Sequence, residues 1–175
     1  HGWYSGFTST GTGAPIADFT LDRRPILARA HHPATGQLAV GDGHGYIMMI
    51  DTATWTIARD FRAARTGPVW ALAFSPDGRR LYGGTWFRLL RWDLEAPALA
   101  LLRTEHFGII RSIGFTASGD RLASISRQTD SSVYFLDPET AGVTRRFRRH
   151  ALCGAAVAVS PGDRFLATTS DDASV

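Results

Sequence analysis

Apolar residues along this chain come in short bursts, and each burst is cut off by a turn signal. From residue 109 to 147 the order is "IIRSIGF", "TASGD", "RLASIS", "RQTDS", "SVYFLD", "PETAG", "VTRRF". Four brief apolar-polar runs separated by Gly, Pro, Asp and Ser clusters predict four strands, a to d, joined by hairpin turns. No window places apolar residues at the 3.6-residue spacing of an amphipathic helix. "ALALLRTEHF" (98–107) comes nearest, and its place in the order makes it a strand d followed by a loop.

The same order recurs. Gly36, Gly78, Gly119 and Gly162, which close the a–b turns, follow one another at intervals of 41 to 43 residues, and Asp51, Asp93 and Asp137, which end strand c, at 42 and 44. Two independent markers with one period indicate a repeat architecture. In "AFSPDG" (73–78) strand a runs into its turn: Pro76 presets φ, Asp77 can bond its own turn backbone, and Gly78 supplies a positive φ. The a strands "ILARAH", "VWALAF", "IRSIGF" and "GAAVAV" share two columns of small residues, Ala28, Ala71, Ser112, Ala156 and Ala30, Ala73, Gly114, Ala158. The intervening positions are mostly large, such as Leu72, Phe74, Ile113, Phe115, Val157 and Val159. Because strand side chains alternate between faces, strand a has one slim face and one bulky face. That suits the innermost strand of a radial array, with the slim side chains nearest the centre.

Composition adds limits. The 175 residues suffice for one well-buried domain, and 44% hydrophobic and 20% charged residues are ordinary for a globular chain. The net charge is +3 and every basic residue is Arg, which gives weak attraction to acidic surfaces without calling for nucleic acid. No apolar run approaches the roughly 20 residues that span a bilayer. The single Cys153 can form no internal disulfide and, within "ALCGAAVAV", reads as a buried inert thiol, which favours a reducing, cytoplasmic setting. Starting at His1 and stopping within a repeat, the chain reads as an excerpt of a longer, multidomain, bacterial protein, from which a targeting segment could be missing.

"VWALAFSPDG", "RWD" (91–93), "LATTSDDASV" (166–175) and the histidines His106 and His150, each nine residues before the end of a strand a, resemble the WD-repeat family of β-propellers along essentially the whole chain. The resemblance implies an all-β propeller of four-stranded antiparallel blades, with about four blades' worth present. Residues 1–20 supply strands c and d of a split blade, 26–61, 69–103 and 110–149 are whole blades, and 154–175 begins with strands a and b of a further or split blade. A closed four-bladed ring is conceivable, and an arc of a larger ring is preferred because such propellers usually have about seven blades.

The resemblance also implies a polar network across each blade, in which the loop His joins a Ser or Thr on strand b, an Asp in the b–c turn and a Trp on strand c. In the third unit this points to His106, Ser124 or Ser126, and Asp130, with Leu136 in place of the Trp; in the fourth, to His150, Thr168 or Ser170, and Asp172. The second keeps Trp92 and Asp93 with Arg65 at the His position, and the first has Asp22, His44 and Ile50 for His, Asp and Trp. No blade shows a complete network, so packing between sheets is expected to carry most of the stability.

Candidate chemistry is sparse. "GDGHGY" (41–46) leads into a strand, so it is a b–c turn and no phosphate loop, which needs a helix N-terminus behind it. The six His residues and one Cys lack metal-ligand spacing. No Gly-x-Ser-x-Gly elbow is present, and Ser75 and Ser160 precede Pro in tight turns. "RRFRRH" (145–150) could bind an anion or nucleic acid, with Phe147 stacking. An outer strand guarded by charge against edge pairing explains it better, so nucleic acid is disfavoured. Trp70 and Arg111 share one column at the start of strand a. In WD-repeat proteins that column opens on the top face, where partners dock, and these residue types are favoured in binding hot spots. Trp86, Arg127 and Asp171 in the b–c turns are further candidates.

The expectation is therefore a non-catalytic scaffold binding a protein partner on its top face, with no catalytic, metal or cofactor residues and no membrane. The alternative is a propeller enzyme or cofactor holder, lactonase-like or associated with a quinone or haem.

Overall fold

The computed structural model of the chain describes residues 6–8, 11–12, 15–18, 25–62, 67–96, 98–127, 132–148 and 150–172. Asp22, Arg65 and Asp130 of the expected networks lie outside them. Among the described residues there are sixteen strands and no helix.

Strands β1 (Gly6–Thr8) and β2 (Pro15–Asp18) form an antiparallel pair. The first four-stranded sheet follows, in the order β3 (Ile26–His32), β4 (Gln37–Asp42), β5 (Tyr46–Asp51), β6 (Thr56–Arg62). The second is β7 (Ala71–Phe74), β8 (Arg80–Gly84), β9 (Arg88–Asp93), β10 (Ala98–Arg103), and the third is β11 (Ile109–Phe115), β12 (Leu122–Arg127), β13 (Ser132–Leu136), β14 (Val143–Arg148). A fourth sheet holds β15 (Gly154–Val159) and β16 (Leu166–Ser170). Every neighbour pair is antiparallel and sequential, so each sheet is a meander. "ALALLR" is the outermost strand β10.

Successive sheets meet through their first strands, β3 with β7, β7 with β11 and β11 with β15. The slim and bulky columns explain how. Ala28 and Ala30 share a core cluster with Leu72 and Phe74 of the next sheet, and Ala71 and Ala73 share one with Ile113 and Phe115. Each slim face is thus turned to the following sheet, where it receives that sheet's bulky face. This refines the expectation that slimness faces the centre. In the third sheet Ser112 stands in the slim column and binds the next strand directly: its Oγ accepts the Val157 N–H at 3.1 Å and donates to the Val157 carbonyl at 3.3 Å. Gly114 departs from the packing argument, because a Cβ built there would meet nothing within 4 Å.

The repeat markers have local causes. Gly36, Gly78, Gly119 and Gly162 all have positive φ, the backbone state that favours glycine. In the second sheet's a–b turn Asp77 accepts the Ser75 hydroxyl and the Arg79 N–H, and these bonds hold its carboxyl below the usual range. At the end of strand c, Asp51, Asp93 and Asp137 each use Oδ1 to accept two backbone N–H groups of the following turn.

Turns also bridge sheets. His32 Nε2 bonds the Pro76 carbonyl at 3.0 Å, and Asp163 Oδ1 accepts the Ala117 N–H at 2.6 Å. Arg80 and Arg91 of the second sheet both pair with Glu139 of the third. Two details differ from the sequence reading. Strand β7 begins at Ala71, two residues later than expected. Cys153 is half-buried one residue ahead of β15, where its carbonyl accepts the Asp171 N–H, and is not a strand residue sealed in the core.

Candidate functional site

Past the end of β8, where Gly84 still pairs within its own sheet, Thr85 and Trp86 tie the second sheet to the third on the rim that carries the b–c turns and the d–a loops. The Gly84 carbonyl accepts the Trp70 N–H at 2.9 Å, the Thr85 carbonyl accepts the Ile110 N–H at 3.0 Å, and Trp86 forms a β-bridge with Ile109. This approach demands glycine at position 84, where a Cβ would lie 2.7 Å from the Ile110 carbonyl oxygen.

On this rim the first strands share an irregularity. The ladder slips between Ile26 and Ala28, between Ile110 and Ser112, and between Gly154 and Ala156. Leu27, Arg111 and Ala155 are therefore the extra residues of β-bulges, which re-aim a side chain away from the regular pleat. Trp70 holds the same column beside β7. Its N–H goes to Gly84, the residue that also pairs with Ala71. The bulge column brings neighbouring sheets into contact: the Arg111 guanidinium carbon sits 5.3 Å from the centroid of the Trp70 ring, within cation–π range. Trp70 Nε1 is buried and has no hydrogen-bond partner among the described residues.

Trp86 and Arg127 converge on Ile109, one through its bridge and the other through the β11–β12 ladder. Trp86 is 38% exposed and its ring centroid lies 5.5 Å from that of Phe87, itself 46% exposed. Phe87 has φ of 57°, a left-handed backbone that an aromatic residue rarely adopts. It is held there by backbone bonds in both directions: its N–H donates to Gly108, and its carbonyl accepts the N–H and hydroxyl of Thr104. The loop between β10 and β11 that makes these bonds also carries Phe107, 72% exposed. Asp171 lies apart, exposed in the b–c turn of the fourth sheet with its N–H on the Cys153 carbonyl. The rim therefore joins Trp70 with Arg111 and Trp86 with Arg127, and leaves Asp171 on its own. Phe87 and Phe107 were not singled out from sequence. The available signal was two adjacent aromatics in a turn where polar residues are usual.

Inside the sheets, His106 is buried and its Nε2 lies 2.8 Å from Ser124 Oγ. Ser124 Oγ also lies 3.4 Å from the Tyr134 carbonyl. The His106 ring packs on Tyr134 at 4.4 Å between centroids. Of the two serines it is Ser124 that meets the histidine; Ser126, also buried, pairs with Ile110 in the ladder. His150 Nε2 lies 2.8 Å from Thr168 Oγ1, and its Nδ1 is 3.5 Å from Asp172 Oδ1. Asp172 also accepts the Ala151 N–H at 2.7 Å, while the Ser170 hydroxyl donates to the Leu152 carbonyl. Trp92 is a core residue, edge-on to Phe61 across the sheet interface at 5.8 Å. In the first sheet's b–c turn the carboxylate belongs to buried Asp42, whose Oδ1 accepts the N–H groups of His44 and Tyr46 at 2.8 Å. The sequence reading had marked His44 for that turn. Its side chain is exposed, and the neighbouring Asp caps the turn because its shorter carboxylate reaches the amides.

The arginines of "RRFRRH" divide as strand alternation requires. Arg145 lies over Phe147, and Arg146 lies over Tyr134 and donates to Ser132 Oγ. Among the described residues no group of three or more His, Cys, Asp or Glu could hold a metal ion, and no helix is long and apolar enough to cross a membrane.

Residues 55–93 match the family described as "WD domain, G-beta repeat". No curated protein matches the chain by sequence. Among solved structures, Kuenenia stuttgartiensis hydrazine synthase is similar at 19% identity and a TM-score of 0.81, over 95% of this chain and 49% of that one. The β-propeller domain of Myceliophteria thermophila Cps50 (Swd1) is similar at 14% identity and a TM-score of 0.80, over 95% of this chain and 56% of that one. The chain thus spans about half the length of the solved chains it matches, and at these identities the likeness is one of fold. With the matched repeat and the meander sheets joined through their first strands, the chain has the fold of a β-propeller built of four-stranded blades, and residues 55–93 within it match a WD repeat.

Proposed function

We propose that the protein is a non-catalytic scaffold that binds a protein partner on the rim carrying Trp70, Arg111, Trp86 and Arg127. The fold supports the general role, since WD-repeat propellers commonly mediate protein interactions. The observation that carries the particular face is the stacked pair of Trp70 and Arg111 at the bulge column, beside the exposed rings of Trp86, Phe87 and Phe107. Large rings and an arginine grouped on rigid backbone are the residue types that dominate binding energy at protein interfaces. The bulges and the ties made by Thr85 and Trp86 hold them in place before binding, which lowers the ordering cost. The hydrazine synthase likeness extends to fold alone.

The test is affinity capture with the intact protein, followed by titration of the captured partner against Arg111→Ala and Phe107→Ala variants. Each change should weaken binding at least tenfold while leaving the thermal midpoint within a few degrees. Unaltered affinity in both variants would overturn the assignment of this face.

A further inference from the structure

Turn chemistry divides the charges of this chain between its two rims. The a–b and c–d turns are capped by carboxylates, Asp51, Asp77, Asp93 and Asp137 among them, so acids gather on the rim opposite Trp70. On the rim of the b–c turns and d–a loops, the end of the second blade carries arginines instead. Arg88 and Arg103 stand directly opposite one another in the β9–β10 ladder, and both are exposed. Like charges facing each other across a ladder repel, and neither has a carboxylate partner among the described residues.

The exposed rings belong to the same blade end. Arg88 follows Phe87 and Arg103 precedes Thr104, so the bonds from Thr104 to the Phe87 carbonyl hold the arginine pair next to the hairpin tip and to the loop of Phe107. Arg111 and Arg127 lie on the adjoining blade, the first over the Trp70 ring and the second paired with Ile109, the bridge partner of Trp86. They too lack a carboxylate partner among the described residues. Against these four arginines stand exposed Glu105, in the loop of Phe107, and exposed Asp171, in the fourth sheet's turn. Asp172 beside it is taken up by His150 and the Ala151 amide. Positive charge is therefore in excess around the rings.

We propose that the protein partner of this rim presents an acidic segment with apolar side chains between its carboxylates. The carboxylates supply counter-charge to Arg88 and Arg103, in the bidentate pairing that guanidinium groups favour, and the apolar side chains cover Phe87 and Phe107. Charge matching of this kind sets register and partner choice. Nucleic acid fits less well: Trp86 and Phe87 meet at 51° and Arg111 covers Trp70, so these rings offer no open parallel faces for bases. This partner chemistry rests on the rim being the docking face, as proposed above.

The probe is a fluorescein-labelled peptide of repeated Glu-Glu-Phe units, followed by anisotropy with the intact protein. Its affinity should fall as salt rises, and the matching Gln-Gln-Phe peptide should bind at least about tenfold more weakly. Arg88→Gln with Arg103→Gln should weaken binding at least about fivefold while leaving the thermal midpoint level or raised, because the repulsion across the ladder is gone. A merely structural pair would lower that midpoint. Arg145→Gln on β14 should have no effect on binding. Hydrogen exchange on the unaltered protein should show slowed amides in 104–108 when the peptide is added, a readout independent of how any variant folds. Equal binding of the Gln-Gln-Phe peptide, equal binding by the double variant, no slowing in 104–108, or preferential binding of an oligothymidylate would overturn the proposal. If the captured partner is then still weakened by Arg111→Ala and Phe107→Ala, the rim stands and only the acidic chemistry falls. A partner indifferent to those two changes removes the rim itself.

Discussion

At the scale of single residues, short polar side chains that satisfy turn backbone do most to shape this protein. Asp93 and Asp137 each accept two N–H groups. The amide of Ala96, then that of Glu95, holds the Asp93 carboxyl below its usual value, and the Thr140 amide does the same for Asp137. A carboxyl whose pKa is lower in the folded than in the unfolded chain stabilises fully above the ordinary Asp value near 3.9, and that contribution is lost as pH falls through the folded value. The urea midpoint should therefore stay level from neutral pH to about 5 and decline below about 4. Asp93→Asn, which keeps an acceptor without the titration, should flatten part of that decline. An acid limb identical to the parent's would show that Asp93 contributes nothing to it. The His106–Ser124 bond is a buried counterpart. His106→Ala loses ring packing on Tyr134 as well as the bond and should cost about 2–4 kcal/mol. A double-mutant cycle with Ser124→Ala should return a coupling of about 1 kcal/mol. A coupling of zero would mean that the imidazole acts by packing alone.

At the scale of the strand, the slim and bulky faces of strand a are two halves of one interface, and small residues there answer to different constraints. Gly84 and Gly114 separate these reasons. A methyl at 84 meets a carbonyl oxygen at 2.7 Å, whereas one at 114 meets nothing within 4 Å. Gly84→Ala should destabilise by about 1–3 kcal/mol and loosen the rim, read as faster exchange of the Trp70 and Ile110 amides. Gly114→Ala should fall within about 0.5 kcal/mol of the parent, since it supplies the alanine that the same column has in Ala30 and Ala73. Comparable loss in both would mean that conformational freedom, rather than close approach, selects glycine there. The third sheet solves the same interface with Ser112, whose hydroxyl bonds the next strand where alanine only packs.

At the scale of the whole molecule, blades contact only their neighbours, so the surfaces they present are largely independent. The rim with Trp70 and Arg111 belongs to the junction of the second and third blades, while a groove lined by Phe61, Trp92 and Leu99 belongs to that of the first and second. Phe107→Ala on the rim and Leu101→Lys on β10 should accordingly change thermal stability additively when combined. A double-variant loss that departed from the sum by more than about 0.5 kcal/mol would show that the two surfaces are coupled.

The strand order, the meander sheets and the turn positions were legible in the chain, because alternation, turn residues and a period near 42 are local properties repeated several times. Asp93 marks its turn in sequence for the same reason that it caps it in space. Legible too was the pairing of small with large residues along strand a, though not which blade each face meets. That depends on how one sheet is turned against the next, and no single segment encodes it. Tertiary structure alone decided that Arg111 lies over Trp70, because a bulge shifts one residue out of the pleat and the ladder must exist before it can slip. It also decided that Asp42 rather than His44 caps its turn, and that Phe87 is held in a left-handed conformation. Those outcomes rest on backbone groups brought together from neighbouring strands and blades, and contacts of that range appear only when the sheets have stacked.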